Sequence, residues 1–159
     1  MASDHEVIKS PNNLKSKVKV DGPKAVDQMV LARAEAVITD LAGEYLEWVE
    51  GDLAKIQKAC DSLVAAPTSK EPLELIYQIS HGIKGQGGSF GYQLMTVLGD
   101  KLCLYIEKLE DVGAREADVI RLHIDGMRLV ISKRIEGDGG EIGAELLKGL
   151  SSVTAKSLN

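Results

Sequence analysis

The chain has 159 residues, of which 44% are hydrophobic and only 4% are aromatic, and its net charge is −5. This length and hydrophobic content exclude a wholly disordered chain and suit a single domain, whereas the shortage of aromatic residues disfavours a β-sandwich or barrel. The acidic balance disfavours nucleic-acid binding, which needs a basic surface.

The first third of the chain is predicted to form a tail and two helices. Residues 1–22 are polar, show no hydrophobic periodicity and are predicted to be a flexible tail. Pro23 suits the first position of a helix that runs to Gly43. A second helix follows, with apolar residues three and four apart, which is helical spacing. Its stripe consists of Leu46, Val49, Leu53, Ile56, Cys60 and Leu63.

The remainder of the chain continues this pattern after a break at residues 67–69. A third helix begins near Pro72 and runs into a glycine-rich stretch that ends at Gly91. A fourth helix covers the apolar stripe of residues 94–109, and a fifth covers that of residues 120–135. A short last helix is predicted at about residues 141–150, where the spacing is again helical.

Antiparallel helices joined by short loops are the usual setting of a four-helix bundle. We therefore predict an all-α fold, an antiparallel four-helix bundle (up-down-up-down) over residues 23–136, with an additional N-terminal helix. Residues 137–159 are predicted to be a loop, a short C-terminal helix and a tail. The chain lacks the roughly 20-residue apolar run of a membrane span and the apolar core of a secretory signal. We expect a cytoplasmic protein without membrane contact.

The segment from Ser80 to Gly91 is the most informative part of the sequence, because five of its residues are glycines. On a helix, the apolar positions Ile76, Ile79 and Ile83 lie opposite His81. The sequence therefore predicts that His81 faces away from the core. His123 lies close to the apolar stripe of its own helix and is predicted to be a half-buried packing residue.

Two neighbours of His81 on the predicted helix favour phosphoryl chemistry. Lys84 places an ammonium group one turn away, which suits a phosphate as a point charge. Gly85 lies on the same face and costs about 1 kcal/mol relative to Ala in a helix, so it needs a reason other than packing. With Gly88, it would let another molecule approach closely. A neutral imidazole is a nucleophile near neutral pH, so His81 is a candidate phosphoryl acceptor.

These residues resemble the signature of the histidine phosphotransfer (HPt) domains of bacterial multistep phosphorelays. The match comprises His81, Lys84 and Gly85, followed by the small residues 87–89, the aromatic Phe90, Gly91 and the apolar Leu94. It is dense over about 15 residues, and a looser resemblance in helix order extends over about residues 37–135. The resemblance implies a four-helix bundle and phosphorylation of His81 at Nε2. It also implies exchange of the group with the aspartyl phosphate of a response-regulator receiver domain.

Several further residues are candidates for the partner-binding surface around His81. Gln86 and Ser89 either contact a partner or only complete the helix end, and Tyr77 either belongs to the docking surface or covers the edge of the bundle. Many HPt domains carry a Gln 22 positions after the His, where this chain has Cys103. A thiol is a weaker hydrogen-bond partner, so this departure puts the contact from the next helix in doubt.

The expected partners are receiver domains, a hybrid histidine kinase, or both. No ATP site, metal-ligand spacing or dinucleotide motif is present, so we expect no kinase activity, no resident metal and no cofactor, with the Mg²⁺ belonging to the partner receiver. A monomer is expected. The alternative is an HPt-like binding module that docks and regulates a receiver or a histidine kinase without being phosphorylated.

Overall fold

The computed structural model describes residues 28–67 and 69–159. The predicted tail at residues 1–22 and the predicted helix start at Pro23 lie outside the described residues. Within the described ranges the chain forms five α-helices and one 3-10 helix and contains no strand, which confirms the all-α prediction. The elements are α1 (Gln28–Ala65), α2 (Lys70–Gln86), the 3-10 helix (Gly87–Phe90), α3 (Gln93–Glu107), α4 (Ala114–Ser132) and α5 (Gly140–Ser157).

The prediction of two separate helices before residue 65 is wrong, because a single helix, α1, occupies this region. The sequence pattern predicts that the first helix ends at Gly43, but the backbone of Gly43 is helical. Glycine weakens a helix by about 1 kcal/mol without obstructing it, unlike proline. A run of helix-forming residues on both sides is therefore enough to continue through Gly43.

The last helix is also longer than predicted. It spans 18 residues, Gly140–Ser157, instead of about residues 141–150. The apolar stripe ends near Leu150, but polar contacts hold the following turns against α3. The Lys101 ammonium donates a hydrogen bond to Ser151 (3.1 Å), and the hydroxyls of Tyr105 and Ser157 lie 2.7 Å apart. Polar contacts between residues far apart in the sequence cannot be predicted from the spacing of apolar residues.

The chain divides after Asp40 into two units. Residues 28–40 are helical and exposed along their whole described length. The second unit, Leu41–Asn159, holds the hydrophobic core and every residue of the predicted site. Aliphatic side chains from all five helices fill this core, which fits the shortage of aromatic residues. Its fully buried members include Ile56, Leu63, Ile76, Leu98, Leu102, Ile120, Ile124 and Met127.

Helices α2 and α3 approach each other closely, and Gly99 makes this possible. A Cβ atom at Gly99 would lie 2.8 Å from the carbonyl oxygen of Ser80 and 2.9 Å from the backbone nitrogen of Lys84. Both distances are too short for carbon against backbone atoms, so any side chain at this position would push the helices apart. Gly99 therefore fixes the distance of α3 from the part of α2 that carries His81.

No helix in the described ranges is both long enough and apolar enough to cross a membrane.

Candidate functional site

The glycine-rich segment converts the end of α2 into a tight turn. The α-helix ends at Gln86, the 3-10 helix follows, and Gly91 adopts a left-handed conformation with φ of 84°. The Tyr92 amide donates to the carbonyl of Gly87 (2.8 Å), and the Gly137 amide donates to the carbonyl of Gly91 (2.7 Å). A positive φ favours glycine strongly, so Gly91 is required by the turn.

His81 lies on the exposed face of α2, as the helical spacing predicts. Ile76 and Ile83 are buried on the opposite face, and Ser80 is buried against α3. His81 is exposed, and no side chain of residues 28–67 or 69–159 hydrogen-bonds its ring. The imidazole is therefore accessible to another molecule from solvent.

Tyr77 lies one turn before His81 and connects its face of α2 to α3. The Tyr77 hydroxyl donates a hydrogen bond to Oε1 of Glu107 (2.6 Å), and the ring centroids of Tyr77 and His81 are 6.3 Å apart, with the rings stacked at 28°. The hydrogen bond to Glu107 raises the pKa of Tyr77. The hydrogen bond to Glu107 fixes the Tyr77 hydroxyl, and the Tyr77 ring is thereby held beside the imidazole.

Lys84 lies one turn after His81 and is paired with an acid that the sequence did not single out. Its Nζ atom lies 2.6 Å from Oδ1 of Asp100 on α3, and both side chains are about two-fifths exposed. The hydrogen bond to Asp100 raises the pKa of Lys84, so the ammonium is charged and held beside the helix. No spacing rule links residues on different helices, so no pattern in the sequence indicates Asp100.

The glycines around His81 fall into two groups that the sequence could not separate. A Cβ added at Gly82 or Gly85 would meet no atom within 4 Å, so packing does not require glycine at these positions. At Gly87 a Cβ would lie 2.8 Å from the carbonyl oxygen of Tyr92 and 2.9 Å from the backbone nitrogen of Thr96. Gly87 is therefore a packing residue, whereas Gly82 and Gly85 leave open space beside the imidazole.

The other residues predicted to contact a partner occupy different environments. Gln86, Gly88 and Ser89 are exposed, and the Gly88 amide donates to the hydroxyl of Thr96 (2.9 Å). Cys103 is 2% exposed, and its thiol lies 3.8 Å from the carbonyl oxygen of Tyr77. Burial raises the pKa of the Cys103 thiol. Cys103 therefore lies beneath the surface and can influence docking only through the position of α2.

His123 is a contrasting case, because it is buried within the core. Its Nδ1 lies 2.9 Å from the carbonyl oxygen of Val119, and its ring stacks on that of Tyr105 at a centroid distance of 6.1 Å. Burial lowers the pKa of His123. The prediction of a packing residue is confirmed, although the ring is more deeply buried than the predicted half.

In residues 28–67 and 69–159, no group of three or more His, Cys, Asp or Glu side chains is placed to hold a metal ion. Comparison of the chain with models of known families, with curated proteins and with solved structures gave no match. Any functional conclusion therefore depends on the chemistry of the site around His81.

Proposed function

We propose that the protein is a histidine-containing phosphotransfer protein of the HPt type. In this proposal His81 accepts a phosphoryl group from the aspartyl phosphate of one receiver domain and passes it to another. One observation carries the proposal: an exposed imidazole on α2 has a charged Lys84 one turn away and open space at Gly85. A structural histidine needs neither of these neighbours.

The transfer itself requires little from the protein beyond an accessible nucleophile. The lone pair of Nε2 attacks phosphorus, so that an N–P bond forms while the P–O bond to the receiver carboxyl breaks. The carboxylate leaves with the electron pair. The proton on Nδ1 remains during this step and is lost afterwards to water, and reprotonation there precedes transfer to the next aspartate. Phosphoryl transfer depends mainly on positioning and electrostatics, which His81 and Lys84 supply.

Lys84 balances the charge that arrives with the phosphoryl group. An exposed ion pair contributes little net stability, because water solvates both partners well. The contact between Lys84 and Asp100 is half-exposed and therefore breaks at low cost. A phosphoryl group on His81, one helical turn away, is a doubly charged competitor for the same ammonium.

The proposed function also gives the arrangement of the helices and the partners. We propose that α1 to α4 form the antiparallel, up-down-up-down four-helix bundle of HPt domains, with α5 as an addition. The partners are receiver domains or a hybrid kinase in the cytoplasm, and the contact is transient, on the order of 1,200 Å² or less in total. The Mg²⁺ used by the transfer belongs to the receiver.

The test is a transfer assay with a panel of isolated receiver domains that have been charged with radiolabelled acetyl phosphate. We expect acid-labile label on the wild-type protein and none on His81→Gln. His123→Gln is the matched control and should be labelled normally. Label that persists on His81→Gln contradicts the proposal. A wild-type protein that binds a receiver but is never labelled indicates the unphosphorylated binding module instead.

A further inference from the structure

A groove of about 460 Å³ lies beside the proposed site, between α1 and the last residue of α2. Its lining combines one large aromatic side chain with small, polar and charged residues. The lining residues are Glu47, Trp48, Gly51, Asp52, Lys55 and Gln86. Gln86 is the last residue of α2, and the exposed Gly82 and Gly85 lie between it and His81 around the helix.

Trp48 is the most conspicuous side chain of this groove. It is the only tryptophan of the chain, and 53% of its surface is exposed. Burying such a large apolar surface is favourable. The Trp48 ring nevertheless lies outside the core cluster, although the neighbouring Val49 belongs to it. Tryptophan is among the residues most enriched where protein interfaces gain their binding energy.

Three glycines, Gly51, Gly82 and Gly85, leave open positions on the surface of α1 and α2 between Trp48 and His81. The angle around the axis of α2, measured from His81 at 100° per residue, is about 40° for Gly85, about 100° for Gly82 and about 140° for Gln86. Across the groove on α1, Gly51 is also open: a Cβ added at Gly51, Gly82 or Gly85 would meet no atom within 4 Å. A partner could therefore cover His81 and reach Trp48 without displacing any side chain from these three positions.

The opposite side of His81 is already occupied by paired groups. Glu107 accepts the hydrogen bond of Tyr77, and Asp100 holds Lys84, both from α3. On the groove side, the charged residues include Lys55, which pairs with Asp52 at 2.8 Å and is 66% exposed. Protein interfaces are enriched in aromatic residues and are surrounded by a polar, solvent-accessible rim.

We propose that Trp48 is the anchor by which the receiver domain docks, with the open groove over Gly51, Gly82 and Gly85 accommodating the receiver's backbone. This inference rests on the proposed function, because it assigns the groove to the same partner that exchanges the phosphoryl group with His81. The exposed, open positions Gly82 and Gly85, which lie between Gln86 in the groove and His81, are what identify this partner. Trp48 is a docking residue and takes no part in the chemistry.

The first experiment compares the transfer kinetics of Trp48→Ala with those of the wild type, using a receiver that labels the wild-type protein. The receiver concentration at half-maximal rate should rise roughly tenfold or more, while the rate at saturating receiver stays within about twofold, because His81 and Lys84 are intact. Leu122→Ala is the matched control, since Leu122 is an exposed apolar residue (44%) on α4. It should leave both parameters unchanged.

Two further measurements separate docking from folding. Gly51→Gln fills the groove at a position without steric conflict and with better helix propensity, so it should keep its thermal stability and raise the half-maximal receiver concentration. The fluorescence of Trp48, which no other tryptophan obscures, should shift to shorter wavelength when unphosphorylated receiver is added.

Each result has a distinct meaning. Unchanged kinetics for both Trp48→Ala and Gly51→Gln, or unchanged tryptophan emission at saturating receiver, overturns the docking proposal and leaves the phosphotransfer function intact. A wild-type protein that no receiver labels overturns the proposed function and with it the assignment of the groove.

Discussion

The ammonium of Lys84 lies 2.6 Å from the carboxylate of Asp100. The positive charge one helical turn from His81 therefore already has a negative partner before any phosphoryl group arrives. In the proposed mechanism the ammonium has two alternative partners, the carboxylate and the phosphoryl group. Asp100 then sets how strongly Lys84 can stabilise phospho-His81, although Asp100 touches neither the imidazole nor the incoming group.

The first prediction concerns Asp100→Asn, which removes the competing charge. We expect the phosphoryl group to remain longer on His81, because Lys84 is then free to pair with it, and we expect the free energy of unfolding to change little, because the ion pair is half-exposed. The measurement is the rate at which purified, labelled protein loses label in buffer, together with urea unfolding of the unlabelled protein.

Glu107→Gln is the control for Asp100→Asn. It also removes one negative charge from α3, but Glu107 hydrogen-bonds Tyr77 and acts on Lys84 only as a more distant charge, whereas Asp100 is in direct contact with Lys84. If the two variants lengthen the lifetime equally, the effect is one of general charge and the competition for Lys84 is not its cause.

The second prediction is that Gly85→Gln blocks transfer without harming the fold. The position is open, because an added Cβ would meet no atom within 4 Å, and the loss of glycine from a helix interior should raise the free energy of unfolding by about 0.5–1 kcal/mol. The same side chain lies over the surface that a receiver must approach. Transfer should fall by an order of magnitude or more, which the labelling assay measures at fixed receiver concentration.

Gly149 on α5 provides the matched control, because a Cβ there also meets nothing within 4 Å. Gly149→Gln should give the same gain in stability and leave transfer unchanged. Normal transfer by Gly85→Gln would show that the open space beside His81 has no role in docking.

The third prediction is that replacing Gly99 destabilises the protein, whereas replacing Gly85 stabilises it. In Gly99→Ala the new methyl group must meet backbone atoms of Ser80 and Lys84 at 2.8 and 2.9 Å. Helices α2 and α3 must therefore separate, which should cost about 1–3 kcal/mol. Urea unfolding measures the loss, and Gly149→Ala, at an open position, should be neutral or stabilising. Equal stability of the two variants would mean that α2 and α3 adjust without strain.

The fold could be predicted from the sequence as far as hydrophobic spacing determines it. The stripes from Leu46 to Leu63 and from Leu94 to Leu109 identify helices because apolar residues recur every three or four positions. The same criterion failed in two places: it ended a helix at Gly43, and it stopped the last helix near Leu150. Helix formation depends on the whole local sequence and on contacts such as that of Tyr105 with Ser157, which spacing does not register.

The candidate site could be predicted only in part. The orientation of His81 follows from the isoleucines on the other side of its helix, and the exposure of Gln86 and Ser89 agrees with their position near the helix end. Asp100 and Trp48 were missed, because their relation to His81 depends on how separate helices pack. For the same reason the sequence could not show that Gly87 and Gly99 serve packing while Gly82 and Gly85 do not.

The last prediction concerns acid stability and the buried His123. Burial lowers the pKa of His123 below its ordinary value of 6.5, so the unfolded chain binds a proton at a higher pH than the folded protein. The free energy of unfolding should therefore be fully retained above about pH 6.5 and should decrease as the pH falls from there toward the folded-state pKa. The contribution to the slope is at most about 1.4 kcal/mol per pH unit.

The measurement is urea unfolding at about pH 7.5 and about pH 5.5, which bracket the ordinary histidine pKa. Carboxylates also titrate at acid pH, so the comparison is between variants. His123→Gln removes the titrating group while keeping an amide that can donate to the Val119 carbonyl, and it should lose less stability between the two pH values than the wild type does. An identical dependence in His123→Gln and the wild type would show that protonation of the buried ring does not limit acid stability.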